Sequence, residues 1–426
     1  MATTQNDAFV SNSKTRKYVF PIILITSLFF FWGFIHNLDP ILLTHLKSAF
    51  SLTHVQASLV DTSVFIAYFI MAIPAGMIMN KYGYKAGIVV GLLLFASGCF
   101  LFIPAANTVN YAFFLGALFV LSCGLTILET AANPYITVLG DPEKGTQRLN
   151  FAQSFNGLAA FIAPIVGGKF ILADEPKSAE DIAALSEQAR VAYIQAETSL
   201  VKMPYLVLGI IILVVAILFI ITKLPDIKNH EDAEGKSGTF ATAFKRSKVR
   251  WAVIAQFFYV GVQIYVFSFL LVYAKESLQI SGSDGKYYAA IAGLLFMIGR
   301  FVGSFLMKFI APVKLLLMYS MIAAALTLVV ILGSGMITLY ALLAITFFMS
   351  IMFPTIFALG VEGIGADTKP ASSLIIMSIV GGALIPPLAS NITDITGDIH
   401  LSYIVPLICF GVVMFFAWNN RSRQTV

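Results

Sequence analysis

Apolar runs of roughly twenty residues recur from one end of this chain to the other, and few architectures accommodate that pattern. A helix needs about 20 apolar residues to cross the hydrocarbon of a bilayer. The 426 residues are 58% hydrophobic and only 12% charged, whereas soluble domains carry about 25% charged residues. The alternation of apolar and polar residues that marks a membrane β-barrel is absent. In hydrocarbon a spanning segment must satisfy its backbone hydrogen bonds internally, so these runs are read as helices. The expected class is an all-α membrane protein of twelve transmembrane helices in two pseudo-symmetric six-helix bundles.

The twelve spans fall near 20–45, 57–79, 86–105, 109–136, 150–172, 203–223, 250–275, 286–308, 312–333, 337–362, 371–394 and 400–419. The polar stretch LPDIKNHEDAEGKSGTFATAFKRSKVR separates six from six. The expected organisation is therefore a tail 1–19, a bundle 20–223, a linker 224–249, a second bundle 250–419 and a tail 420–426. The first twenty residues are polar and lack a signal-peptide pattern. Lysine and arginine gather in alternate connections (Lys81, Lys85, Lys144, Arg148, Lys245, Arg246, Lys308), which predicts that both termini are cytoplasmic. The net charge of +5 follows from that bias and does not point to nucleic acid. Cys99, Cys123 and Cys409 lie inside apolar runs and read as packing residues, with no disulfide or metal expected. The segment after span five holds SAEDIAALSEQARVAYIQAE, which reads as an exposed amphipathic external helix.

The two halves repeat weakly. Pro134 and Gly140 in span four answer Pro354 and Gly360 in span ten, and Ser154 and Gly157 in span five answer Ser378 and Gly381 in span eleven. Such repeats are how many secondary transporters are built, with cargo held between them near the midplane.

Against this apolar background a few residues stand out. Glu129 is an acid deep inside span four, with Asn133 four residues on and on the same face. Burial disfavours its charged form, so it can take a proton from one side and release it to the other. The alternative is a protonated glutamate bonding two helices. Asp39 follows His36 and Asn37 late in span one, and Pro40 removes a helical hydrogen bond there, so a local break with a coupling or cargo site is expected. The alternative is an outer polar cluster wetted by headgroups. Gln256, Tyr259 and Gln263 follow helical spacing on span seven, and Gln153 and Asn156 do so on span five. Amides exchange hydrogen bonds with sugar hydroxyls, and an aromatic face covers the apolar side of a ring. Trp32, near the middle of span one, is a candidate platform. Each amide alone is equally well read as interhelical glue. Arg300, inside span eight, needs a partner, and Glu362 or Asp367 would form an inner latch with it. No HExxH, GxxxxGK[ST] or GxSxG pattern occurs. Neither an enzyme nor an ATP-driven pump is expected, and the energy would come from an ion gradient or the cargo's own.

The segments LETAANPYITVLG (128–140), RLNFAQSFN (148–156), YGYKAG (82–87), WAVIAQFFYVGVQ (251–263), IGRFVG (298–303) and MSIMFPTIFALG (349–360) resemble the fucose:proton symporter family of the major facilitator superfamily, which includes bacterial fucose permeases and glucose/galactose transporters. The resemblance covers nearly all twelve spans. It implies the major facilitator fold, alternating access and hexose import with protons across a bacterial plasma membrane. It carries Glu129 over as the proton- and sugar-linked acid of span four, Gln153 and Asn156 as sugar contacts, and Trp32 as a central aromatic. Where fucose permeases read NNLND before ILLP, this chain reads HNLDP before ILLT, closer to the glucose/galactose branch. The acid stands one position earlier, a rotation of about 100° on a helix, which leaves open whether Asp39 takes over the span-one role.

The resulting expectation is a monomeric proton symporter for a neutral hexose (glucose, galactose or fucose) that needs no cofactor. Rival readings are a sodium-coupled sugar carrier, with Asp39 at the ion site, and a membrane sugar sensor that moves nothing.

Overall fold

A computed structural model describes the backbone of residues 3–50, 52, 54–171, 182, 184–225, 238–280 and 282–421. The side chains of residues 3–18, 39–40, 44, 47–48, 54–55, 57–58, 142, 282–284 and 286 lie outside that description. No strand occurs among the described residues. The first half comprises α1 (Thr3–Ala49), α2 (His54–Thr108), α3 (Tyr111–Val138), α4 (Gly145–Phe170), α5 (Glu187–Ser199) and α6 (Lys202–Ile221). A short α7 (Phe240–Lys245) precedes the second half, which comprises α8 (Ser247–Leu278), α9 (Gly282–Leu306), α10 (Pro312–Leu332), α11 (Met336–Met349), α12 (Met352–Val361), α13 (Thr368–Met377), α14 (Gly381–Thr396), α15 (Ile399–Ser402) and α16 (Ile404–Arg421).

Among the described residues eleven helical runs are long and apolar enough to cross a membrane, and one of them, Leu59–Thr108, is 50 residues long. An unbroken helix of that length would measure about 75 Å, more than twice a hydrocarbon core of about 30 Å. The run is divided at Gly83, whose φ of 82° is readily adopted only without a Cβ. Two crossings therefore share one run, giving twelve among the described residues. The returning limb lies against α3 with almost no side-chain spacer. A Cβ on Gly98 would stand 2.5 Å from the backbone of Leu121, and one on Gly124 would strike Phe95. Small residues permit such an approach where water cannot drive helices together.

The expected break at Pro40 does not occur, because α1 continues through it to Ala49. Proline's fixed φ suits a helix, and the cost is one backbone hydrogen bond. The helix expected after span five begins at Glu187, and part of the segment expected to form it lies outside the described residues. Its Glu197 carbonyl lies 3.0 Å from His45 Nε2 at the end of α1.

The halves meet through α2 on α13, α3 on α13, and α4 on both α9 and α12. The bonds between them gather near the end marked by Asn80, Gln147 and Ser304. Asn80 Nδ2 donates to the Gly238 carbonyl (3.3 Å), Gln147 Nε2 to that of Ser304 (3.2 Å) and Asn150 Nδ2 to Thr355 Oγ1 (3.2 Å). Gly76 leaves no room for a Cβ against Ser373. The structure is sealed at this end, where Lys81, Lys85 and Lys144 also lie.

Candidate functional site

The α11–α12 pair is the span most enclosed by protein among the described residues, and α3 is enclosed over most of its length. Each carries a proline at the equivalent place, and each proline frees a carbonyl one turn earlier, because it has no N–H to donate to residue i−4. Pro134 frees the Thr130 carbonyl, which accepts from Ser372 Oγ of α13 at 2.8 Å. Pro354 frees the Ser350 carbonyl, which accepts from Arg300 Nε of α9 at 3.2 Å. In span ten the chain departs further: α11 stops at Met349 and α12 starts at Met352. The Met349 carbonyl then accepts the Tyr259 hydroxyl at 2.9 Å.

Glu129 sits on α3 one turn before Asn133 and is only 4% exposed. The Tyr68 hydroxyl, His36 and Arg300 all lie within electrostatic reach of its carboxyl. His36 Nε2 stands 3.2 Å from Tyr68 Oη, with the two rings stacked. The second carboxyl oxygen, Oε2, is buried without a hydrogen-bond partner among the described residues. Burying such an acceptor unpaired costs about 1–3 kcal/mol, so a polar guest bonded there would recover that energy.

Arg300 is buried and extends from α9 into the first half. Its Nη1 donates to the Gln153 carbonyl (2.7 Å) and to Asn156 Oδ1 (2.9 Å) on α4, and its guanidinium lies over the Phe296 ring. The latch expected between Arg300 and Glu362 or Asp367 is therefore replaced. Arg300 lies among the central amides, and the two acids take nearer cations at the sealed end. Asp367 accepts from Arg246 Nε (2.5 Å) and Thr242 Oγ1 (2.6 Å), and Glu362 lies 3.6 Å from Lys248 Nζ. A cavity of about 500 Å³ opens beside that second pair, lined by Arg246, Lys248, Glu362 and Asn420, and none of its lining residues belongs to the Glu129 cluster.

The remaining candidates fall as follows. Gln153 Nε2 donates to Asn133 Oδ1 at 3.4 Å, which leaves Asn133 Nδ2 unpartnered among the described residues. Asn156 packs on Gly33, where a Cβ would come within 2.7 Å of its Nδ2. Trp32 is the neighbouring residue, buried with its ring centre 4.6 Å from that of Phe29. Tyr259 is fully buried within electrostatic reach of Arg300. One turn before it, Gln256 is buried with neither amide atom bonded among the described residues, and one turn after it Gln263 is half-buried. Asn37 turns back on its own helix, donating to the Gly33 carbonyl at 2.6 Å. The Asp39 side chain lies outside the described residues. The structure thus joins Glu129, Asn133, Gln153, Asn156 and Arg300 in one polar cluster at the contact between the halves. Tyr68 was missed by the sequence reading, since FIAYFIMAIPAG offers nothing to distinguish a functional tyrosine from an apolar one.

Chemically, the cluster offers neutral donors and acceptors with one acid and one fixed cation. Among the described residues no group of three or more His, Cys, Asp or Glu is placed to hold a metal ion.

A model of the Major Facilitator Superfamily matches residues 22–385. The L-fucose-proton symporter of Escherichia coli (strain K12) is 41% identical over 418 residues, 97% of this chain and 95% of that protein. A glucose/galactose transporter of Brucella abortus is 39% identical over 417 residues, 97% of each. Among solved structures, the Major Facilitator Superfamily transporter FucP in the outward conformation superposes with a TM-score of 0.87 at 41% identity, covering 94% of this chain and 98% of that one.

Proposed function

The chain belongs to the Major Facilitator Superfamily, and from that premise we propose that it is a secondary active transporter importing a neutral hexose together with protons. The observation that carries this reading is the Glu129 cluster: a buried acid near Tyr68, its Oε2 without a hydrogen-bond partner among the described residues, beside amides from α3 and α4. A hexose presents hydroxyls that donate and accept, which match an open carboxyl oxygen and unpaired amides. The similarity to an L-fucose-proton symporter and to glucose/galactose transporters supports the same cargo class. The HNLDP sequence of span one favours glucose or galactose over fucose.

In this reading Glu129 is the proton-coupling acid, with Asp39 as a second. The sugar contacts are Trp32, Asn37, Asn133, Gln153, Asn156, Gln256, Tyr259 and Gln263, together with Glu129 itself. The bodies that rock are residues 20–223 and 250–419. The sealed end faces the cytoplasm along with both termini, so the conformation is outward-facing, in keeping with the outward conformation of its structural relative. The protein works as a monomer in the bacterial inner membrane. Outward-facing protein takes up protons and sugar. Neutralising Glu129 lowers the cost of enclosing it, the outer ends close and the inner ends part.

Proteoliposomes carrying the purified protein test this with a panel of labelled hexoses, with and without an imposed pH gradient. Uphill accumulation of glucose or galactose driven by the pH gradient is expected, and Glu129→Gln should abolish accumulation while sugar exchange persists. Accumulation that needs sodium and ignores pH, or a Glu129→Gln protein that concentrates sugar normally, overturns the coupling assignment.

A further inference from the structure

We infer that His36 and Tyr68 form a relay that hands the coupling proton to Glu129, an inference that rests on the proton-coupled reading above. Three helices contribute one group each: His36 from α1, Tyr68 from the first limb of α2 and Glu129 from α3. His36 Nε2 lies 3.2 Å from Tyr68 Oη, and the Tyr68 hydroxyl lies within reach of the Glu129 carboxyl. The rings of His36 and Tyr68 stack with centres 5.8 Å apart and planes 14° from parallel, which holds the hydroxyl between base and acid. His36 is half-buried, whereas Tyr68 and Glu129 are both buried, at 0% and 4% exposed.

An imidazole can gain and lose a proton in the physiological range, and His36 is the half-buried member of the three. A tyrosine hydroxyl donates and accepts at once, so it passes a proton without holding a charge. The protonated imidazole gives its Nε2 proton to Tyr68 Oη as the Tyr68 proton moves to the Glu129 carboxylate. His36 ends neutral, Glu129 ends neutral and Tyr68 keeps one proton, so the transfer is balanced. Water on the open side then reprotonates His36. Arg300, on the opposing half, lies within electrostatic reach of the same carboxyl. The helices packed on α1 are α2, α3, α4 and α5. The titratable or charged groups they present near His36 are Tyr68 and Glu129. On α5, Glu197 contacts His45 instead, and Lys169 of α4 is exposed. On α1 itself, Asp39 is three residues away.

The relay separates proton delivery from sugar binding, and the test uses that separation. Tyr68→Phe preserves the ring stack and removes only the hydroxyl. His36→Asn installs the residue found at the start of the fucose permease sequence NNLND. Each variant is reconstituted and compared with the unaltered protein in initial uptake driven by a pH gradient, in sugar counterflow at equal pH, and in the pH profile of the driven rate. General acid–base steps typically contribute about 100-fold or more, so both variants should slow driven uptake at least about tenfold. Counterflow should stay within about twofold, and the His36→Asn profile should flatten between about pH 5.5 and 7.5. Driven uptake at the unaltered rate in both variants overturns the relay. So does counterflow that falls as far as driven uptake, since that marks a sugar contact or a packing defect. The unaltered protein is the control for the parent reading. If sugar entry brings no proton with it, both ideas fall; if it does and the variants match it, only the relay falls.

Discussion

Replacing Arg300 by lysine should loosen the contact between the halves without removing its charge. Arg300 makes three hydrogen bonds, and two of them, to the Gln153 carbonyl and Asn156 Oδ1, run from α9 to α4. A guanidinium serves several acceptors at once through its planar fork, whereas an ammonium is a compact point charge on a shorter stem. Lysine can therefore keep about one of the two cross-half bonds. Hydrogen bonds to charged groups contribute about 1.5–3 kcal/mol each. Losing one shifts the ratio of sealed to unsealed protein by about 10- to 150-fold, at 1.4 kcal/mol per decade. Spin labels at Tyr82 and Phe309, both exposed near the sealed end, read that ratio as a distance distribution. A second, longer population should appear in Arg300→Lys without sugar. An unchanged distribution, in protein of normal thermal stability, would refute the idea that this side chain ties the halves together.

Three further outcomes follow from the same geometry. Asp367→Ala should unseal the inner end more than Glu362→Ala in the same measurement, because Asp367 is 5% exposed with two partners. The Lys248–Glu362 pair is nearer solvent, where such pairs contribute about 0–1 kcal/mol; equal effects would contradict this. Gly98→Leu should lower thermal stability, since overpacking costs about 1–3 kcal/mol and the obstructing atoms are the backbone of Leu121; an unchanged melting temperature would count against backbone contact there. Burial pushes His45 below its ordinary value of 6.5, against the opposing pull of the Glu197 carbonyl and carboxylate. The undocked state then binds the proton more readily, so the docking of α5 is full above pH 6.5 and weakens as pH falls through and below it. Amide exchange in α5 should quicken on acidification after correction for intrinsic rates, and His45→Gln should remove that dependence.

The membrane class and the crossings were legible because each crossing must be long and apolar, a demand written locally. Glu129 was legible for the complementary reason: an acid there is costly enough to stand out. Partnerships were far less so. Arg300 invited an acid by charge alone, but the acceptors it found are the carbonyls of Ser350 and Gln153 and the amide of Asn156. Only one of those four groups, counting its neighbour Glu129, carries a charge that a sequence displays. The matched prolines 134 and 354 were visible as a repeat, but their consequence was not, because a freed carbonyl acquires a partner only once a distant helix is packed beside it. Pro40 misled in the opposite direction. Its neighbours suggested a break, whereas the helix lost one bond and continued to Ala49.

The short helix α7 has a further consequence for the motion. Thr242 in its first turn and the following Arg246 both hold Asp367, and Gly238 fits against Ala366 with no space for a side chain. Towards the other half it offers the Gly238 carbonyl to Asn80 and the edge of the Phe240 ring to Gly76. The connector is thus a passenger of the second half and a doorstop for the first. When the doorway opens, those two light touches break and the firm ones travel along intact.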